Sequence, residues 1–304
     1  MNGLETDLCG IRLKNPLIAA SGTFGYGDEV SDLLAPDALG GVALKGLTLK
    51  PREGNPCPRI AETPSGVLNA VGLQNIGVER FLKEKAPVLR NRDSVFLANV
   101  AGASVEENCA IVEALDPEAC IRMFELNVSC PNVAHGGMAF GTDAGCLAEL
   151  VAAVRKRTRK PLIVKLSPNV TDIAVMAKVC EDGGADAVSA INTIHAMVID
   201  TKKRKPLLGN KTGGLSGPAV RPVGVRAVWQ IFRAVKIPVV GLGGVMTAND
   251  ALEYILAGAT AFQVGTALFS GLDAVSRILS GLKEYMEENS VKSLAELVGA
   301  AHRD

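Results

Sequence analysis

The chain has 304 residues with 32 basic and 32 acidic side chains, a formal net charge of zero, and 48% hydrophobic against 4% aromatic residues. This composition fits a folded globular protein and excludes a disordered one. Without an excess of Lys and Arg there is no electrostatic case for a nucleic-acid or acidic-membrane partner, so a small ligand is the better expectation.

At the N-terminus, Glu5 and Asp7 stand where a secretory signal would carry basic residues leading into an apolar stretch, which predicts a mature start. Pro, Gly or charged residues interrupt every apolar run before the roughly 18 to 20 residues that a membrane span needs, and a cytoplasmic location is expected. Eight short β-rich runs follow at 17–21, 41–46, 95–100, 123–129, 162–167, 187–192, 239–243 and 261–267, each apolar on both faces as strands covered on both sides must be. Helix-period segments lie between them. Leu147, Leu150, Val151 and Val154 form one i, i+3, i+4, i+7 face, and Val225, Val228, Trp229 and Phe232 form another. Thr171 is placed to cap a helix running toward Gly183, and Thr247 to cap one that ends before Gly258. Eight strand–helix units in this length predict a single (β/α)8 barrel domain over residues 1–304. Two long connections, 48–76 and 193–217, follow strands two and six and therefore belong at the C-terminal face, where barrel enzymes build their sites.

The seven cysteines, Cys9, Cys57, Cys109, Cys120, Cys130, Cys146 and Cys180, are an odd number without a CxxC pair. Disulfides, zinc ribbons and a local iron–sulfur motif are thereby disfavoured. His135, His195 and His302 are too scattered for a histidine-rich metal site, and no metal is expected. Cys9, Cys109, Cys120 and Cys180 read as small buried hydrophobes. Cys130 differs, because it ends strand four between Asn127 and Asn132, before a glycine-containing loop, where a thiol with a reference pKa of about 8.5 can serve as nucleophile or general base. The basic run at Lys202, Lys203, Arg204 and Lys205 reads as a solvated loop, and His195 as part of the loop after strand six.

Gly241, Gly243 and Gly244 end strand seven, and Gly265 and Thr266 end strand eight. Either pair alone fits tight strand–helix packing equally well; together they occupy the usual phosphate position of a barrel. No GxGxxG fingerprint follows a strand, so an intrinsic Rossmann NAD site is not expected. Lys45 and Lys165 lie on strands two and five, and an inward-facing lysine there calls for an anion. Ser21, Asn99 and Asn192 add a polar ring at the strand ends.

The motifs NVSCPN at 127–132, NAVGLQN at 69–75, KGLTL at 45–49, VKLSPN at 164–169, INT at 191–193, GLGG at 241–244 and VGTAL at 264–268 together resemble the class 1 dihydroorotate dehydrogenases over nearly the whole chain. NPCPRIAET at 55–63 and HGGMAFGTD at 135–143 are most similar to the catalytic subunit of the NAD-linked class 1B enzymes, with the fumarate-linked class 1A enzymes as the alternative. A flavin-free sugar-phosphate isomerase or lyase is a more remote one, and a non-catalytic flavin-binding component another. The resemblance implies FMN at the C-terminal face, with its phosphate on Gly243, Gly244, Gly265 and Thr266. Around the rest of FMN it implies Ser21, Lys45, Gly46, Asn99, Asn127, Lys165, Ile191 and Gly217, Lys165 stabilising the anionic reduced flavin. It implies a substrate site of Lys45, Asn69, Ala70, Val71, Gly72, Leu73, Asn127, Asn192 and Thr193. By the same resemblance Cys130 removes the C5 proton of dihydroorotate while hydride leaves C6, giving orotate, and FAD and a [2Fe–2S] cluster belong to a partner subunit, two of which assemble around a homodimer of this chain.

Overall fold

The computed structural model describes residues 3–129, 131–132 and 138–303, with 131, 132, 138 and 139 described at the backbone alone. Cys130, and His135 to Gly137 of the loop motif, lie outside the described residues. Eight parallel strands close into a barrel: β1 (Leu17–Ala19), β2 (Gly41–Ala43), β3 (Phe96–Val100), β4 (Ile121–Asn127), β5 (Leu162–Lys165), β6 (Ala187–Ala190), β7 (Val239–Leu242) and β8 (Ala259–Val264). They pair in chain order, and β8 returns to β1. This is the expected (β/α)8 architecture.

All but one of the predicted strands run one to three residues too far at their C-terminal ends; the run ending at Val100 stops where the strand does. The ladder stops at Ala19, Ala43, Lys165, Ala190 and Leu242, and the polar or glycine residues beyond them line the mouth. The first crossover is also not an α-helix. Gly22, Gly25 and Gly27 all take positive φ, which a helix cannot accommodate, and only one 3-10 turn forms, at Pro36–Ala38.

Side chains alternate inward and outward along each strand, and the period of two writes the barrel interior in layers. Ile18, Ala43, Leu97, Met123, Ile163, Ala187, Val240 and Ala261 form one inner cluster, separate from the main core. Leu8 and Leu13, from the hairpin of Thr6–Leu8 with Ile11–Leu13, join it and close the N-terminal end. Two residues further along the strands, the inner positions become Lys45, Asn99, Glu125, Lys165, Ser189 and Gln263. The apolar layer thus supports a polar one just below the mouth.

The larger core lies between barrel and helices, where Leu147, Leu150, Val151 and Val154 of the helix Ala144–Arg155 are buried as their spacing predicts. Removing any of these by truncation to Ala would cost about 2–5 kcal/mol. The helix Arg221–Ala234 turns a different face inward, burying Gly224, Ala227, Val228 and Ile231. Trp229 and Phe232 are half-buried flanks, because His302 stacks on Trp229 with ring centroids 3.6 Å apart. Thr247 caps Ala248–Leu256 in a capping box with Asp250, and Gly258 takes φ +121° beyond it, as expected. Thr171 does not cap the helix Ile173–Asp182; Asp172 does, accepting from the amides of Ala174 and Val175, since a carboxylate one residue closer reaches the free N–H groups.

The two long connections meet over the mouth. Ile60–Thr63 and Gly66–Asn69 from the first, and Ile194–Ala196 and Gly213–Ser216 from the second, build one antiparallel sheet in which Asn69 pairs with Gly214. No helix among the described residues is long and apolar enough to cross a membrane.

Candidate active site

The site is the layer of strand ends and the loops above it. At the ends of β7 and β8, the amides of Gly243, Gly244, Gly265 and Thr266 make no hydrogen bond to any other described residue. They are held in place from outside the barrel: Tyr254 donates to the carbonyls of Gly243 at 2.7 Å and Leu242 at 3.2 Å, and Thr266 Oγ1 donates to Ser216 Oγ at 2.9 Å. Gly244 takes φ +74°, and a Cβ there would stand 2.6 Å from the carbonyl oxygen of Gly217. Ile191 packs beside Gly243, its Cγ1 3.3 Å from where a Cβ would stand. Four unpaired N–H groups in a cradle kept bare of side chains suit a phosphate dianion.

On the opposite side, Ser21 Oγ donates to the Leu44 carbonyl at 2.6 Å, and Lys45 Nζ approaches to 3.5 Å of a Cβ built on Gly22. No hydrogen bond or ion pair joins Lys45 Nζ to any described residue, and burial lowers its pKa below the usual 10.5. The expectation that an inward lysine needs an anion therefore stands open at Lys45. Lys165 is different, because the buried carboxylate of Glu125 lies 3.8 Å from its Nζ. Glu125 also accepts from Asn99 Nδ2 at 2.7 Å, Ser189 Oγ at 3.2 Å and Gln263 Nε2. Asn99 Oδ1 is buried without a partner among the described residues, 2.9 Å from a Cβ built on Gly46.

The third group gathers under the loop sheet. Asn192 Nδ2 donates to Asn127 Oδ1 at 3.2 Å, Asn192 Oδ1 accepts from the Thr193 amide at 2.8 Å, and Thr193 packs on Gly214, the partner of Asn69. The segment from Ala70 to Leu73 is fixed by Asn55, which donates to the carbonyls of Ala70 and Val71 at 3.0 Å each. Gly72 and Leu73 both take positive φ, and Leu73 Cδ2 comes within 3.7 Å of a Cβ built on Gly46, so this loop reaches the strand-two side of the mouth. Every predicted binding residue other than Cys130 is thus placed on the mouth of the barrel or the sheet above it.

Residues 3–286 match the family model of dihydroorotate dehydrogenase. The chain belongs to the dihydroorotate dehydrogenase family. It is 52% identical to the protein described as dihydroorotate dehydrogenase B (NAD(+)), catalytic subunit, of Geotalea uraniireducens (strain Rf4), over 98% of this chain and 97% of that one. The identity is also 52% to the protein of the same description from Pelobacter propionicus (strain DSM 2379 / NBRC 103807 / OttBd1), over 98% of each chain. A crystal structure of the Eimeria tenella dihydroorotate dehydrogenase in complex with ferulenol superposes with a TM-score of 0.85, covering 100% of this chain and 90% of that one at 20% identity, which establishes the shared fold.

Sequence reasoning missed Glu125, Ser189, Gln263 and Tyr254. A glutamate inside a run that is otherwise apolar on both faces was the available signal for the first of these. The six cysteines among the described residues are free; Cys109, Cys120 and Cys180 are buried, and Cys9 is half-buried with its thiol pushed up to about 12 by burial and by Asp186 and Asp7. No group of three or more metal-binding side chains occurs among the described residues.

Proposed function

We propose that this chain, one FMN-binding barrel domain, is the catalytic subunit of an NAD+-linked dihydroorotate dehydrogenase, oxidising dihydroorotate to orotate in pyrimidine biosynthesis. The observation that carries the reading is the pairing of four amides without a partner among the described residues, at Gly243, Gly244, Gly265 and Thr266, with a polar inner layer holding Lys45, Asn99 and Lys165. The first group fits the phosphate of FMN and the second its polar ring edge. Asn99 Oδ1, buried and unpaired among the described residues, supplies an acceptor for a ligand N–H.

FMN bound here supplies a two-electron acceptor for the hydride that leaves C6 of the substrate. Lys165, held at the layer below the mouth, presents a cation to the polar edge of the ring system and favours negative charge there. Lys45, with Asn127, Asn192 and Thr193, receives the small carboxylated ring: the ammonium pairs with the carboxylate, and the amides fix its orientation. The segment of Asn69, Ala70, Val71, Gly72 and Leu73 covers the ring from the loop side, excluding water from the reacting carbons. Cys130, at the end of strand four in the sequence, removes the C5 proton as general base. Ser21, Gly46, Ile191 and Gly217 shape the walls.

The description of the relatives as catalytic subunits of an NAD(+) enzyme supports a companion subunit that carries electrons onward. We assign FAD and a [2Fe–2S] cluster to that companion, two copies of which join a homodimer of this chain in the cytoplasm. Anaerobic titration of the purified, FMN-loaded chain with dihydroorotate should bleach the flavin absorbance stoichiometrically, while rapid NAD+ reduction should require the companion. A flavin that dihydroorotate does not bleach would refute the activity; rapid NAD+ reduction by this chain alone would refute the division of labour.

A further inference from the structure

Glu125 has no part in binding or proton transfer as proposed above, yet its carboxylate is the hub of the polar layer. Asn99 Nδ2 and Lys165 Nζ face Oε1 at 2.7 and 3.8 Å, while Ser189 Oγ and Gln263 Nε2 donate to Oε2. All five side chains are buried. The carboxylate can only accept, so both amides must turn their NH2 groups toward it. Their carbonyl oxygens, Asn99 Oδ1 and Gln263 Oε1, are left buried and without a partner among the described residues. Asn99 Oδ1 rests against the bare backbone of Gly46, within the layer where the flavin ring is placed.

The same carboxylate stands beside the cation of Lys165. In a buried, low-dielectric setting a negative charge 3.8 Å away opposes much of the field that the lysine projects onto a neighbouring ligand. A flavin gains negative charge on reduction, so the balance between Lys165 and Glu125 bears on how readily it is reduced.

We propose that Glu125 is a positioning residue for the flavin: it fixes the Asn99 amide so that Oδ1 meets a flavin N–H, and it tempers Lys165, holding the flavin's midpoint potential below the value that the lysine alone would set. This rests on the placement of FMN at the barrel mouth.

The test is the midpoint potential of FMN bound to the full chain, measured by anaerobic equilibration with dyes of known potential. Glu125→Gln keeps the size and removes the charge, and the potential should rise by about 30 mV or more, a tenfold shift toward the reduced form for a two-electron couple. Glu125→Asp withdraws the carboxylate by one methylene and should raise it in the same direction by a smaller amount, about twofold in that equilibrium. If the glutamine variant does not fold, the aspartate variant decides alone. A merely structural glutamate would lower the thermal midpoint and the FMN affinity and leave the potential of the retained flavin unmoved. An unchanged or lowered potential in the variants overturns the role of Glu125. A wild-type chain that takes up no FMN overturns the cofactor placement instead, so the two failures are distinct.

Discussion

Asn192 donates through Nδ2 to Asn127 Oδ1 at 3.2 Å and to Ser129 Oγ at 2.8 Å, tying the end of β6 to the end of β4. Asn127 Oδ1 accepts a further bond from the Ser129 amide at 3.2 Å. Its oxygen is thereby committed to the protein, and its Nδ2 remains a donor without a partner among the described residues. Asn127→Asp keeps the shape and replaces this donor with a charge that repels a carboxylated substrate. The KM for dihydroorotate should rise by about 100-fold, equivalent to about 3 kcal/mol. Asn192→Ala frees Asn127 to rotate and should raise it about tenfold, in line with one lost hydrogen bond. Steady-state kinetics with saturating acceptor measures both, and an unaltered KM in Asn127→Asp would remove the residue from the substrate site.

Gly244 sits where a side chain has no room. Its Cβ would stand 2.6 Å from the Gly217 carbonyl and 3.0 Å from the Arg221 backbone, at a φ of +74°. Gly244→Ala must push the backbone of the cradle apart, at a cost of about 1–3 kcal/mol in strain. The purified variant should lose FMN on dilution at least tenfold more readily than the wild type, read from the fluorescence of released flavin. Full retention would place the phosphate elsewhere.

How far the sequence showed this site depends on whether each feature is local. The glycine pairs at Gly243 and Gly265 were legible because a barrel puts consecutive strand ends side by side. The polar layer was half legible. Lys45 and Lys165 stand out as charges in apolar strands, but Glu125, which satisfies one of them, is masked by the apolar neighbours on its strand. The loop sheet was not legible at all: Asn69 meets Gly214 only through a pairing between segments some 145 residues apart, and no local period encodes such a contact. The overrun of the predicted strands has the same source, since residues such as Gly46 and Asn192 continue the pattern without continuing the ladder.

Arg90 donates through Nε and Nη2 to Glu118 at 2.9 and 2.6 Å and, with the Cys120 amide assisting against burial, holds that carboxyl down to about 2 from its usual 4.5. A depressed acid contributes stability that is fully present above its unfolded value and is lost as pH falls through its folded value. The contribution is therefore complete above pH 4.5 and disappears toward pH 2. Arg90→Ala should raise the pH of acid unfolding, and its thermal midpoint should fall below that of the wild type at pH 6 and converge with it near pH 2. Parallel midpoints across that range would show that the pair is not coupled to folding.

Cys130→Ala should reduce turnover by at least the roughly 10²–10⁴-fold that a positioned general base contributes, while FMN stays bound and the protein stays yellow. Cys130→Ser should retain slow turnover whose rate climbs toward high pH, because a hydroxyl yields its proton less readily than a thiol. Stopped-flow flavin bleaching across pH separates the proton-removal step from product release. Wild-type rates in the alanine variant, or the same pH profile in the serine variant, would defeat the assignment of the base.

Lys45 is a half-buried ammonium facing no anion among the described residues, and burial alone lowers its pKa below 10.5. The unfolded chain holds that proton more tightly than the folded one, so the ligand-free protein is penalised at every pH below the lowered folded value. The penalty fades as pH rises from that value toward 10.5. A bound carboxylate reverses the shift by favouring the charged form, and above the lowered pKa, binding must take up a proton. The KM for dihydroorotate should therefore climb with pH on the alkaline side, beginning below pH 10.5. Lys45→Met replaces the cation with an apolar chain of similar length. It should abolish that slope, raise KM about 100-fold, and raise the thermal midpoint of the FMN-free protein by about 2–4 °C for each kcal/mol of relieved desolvation. A methionine variant that binds substrate as the wild type does, or that melts at a lower temperature without ligand, would show that the ammonium is matched within the protein and not by the substrate.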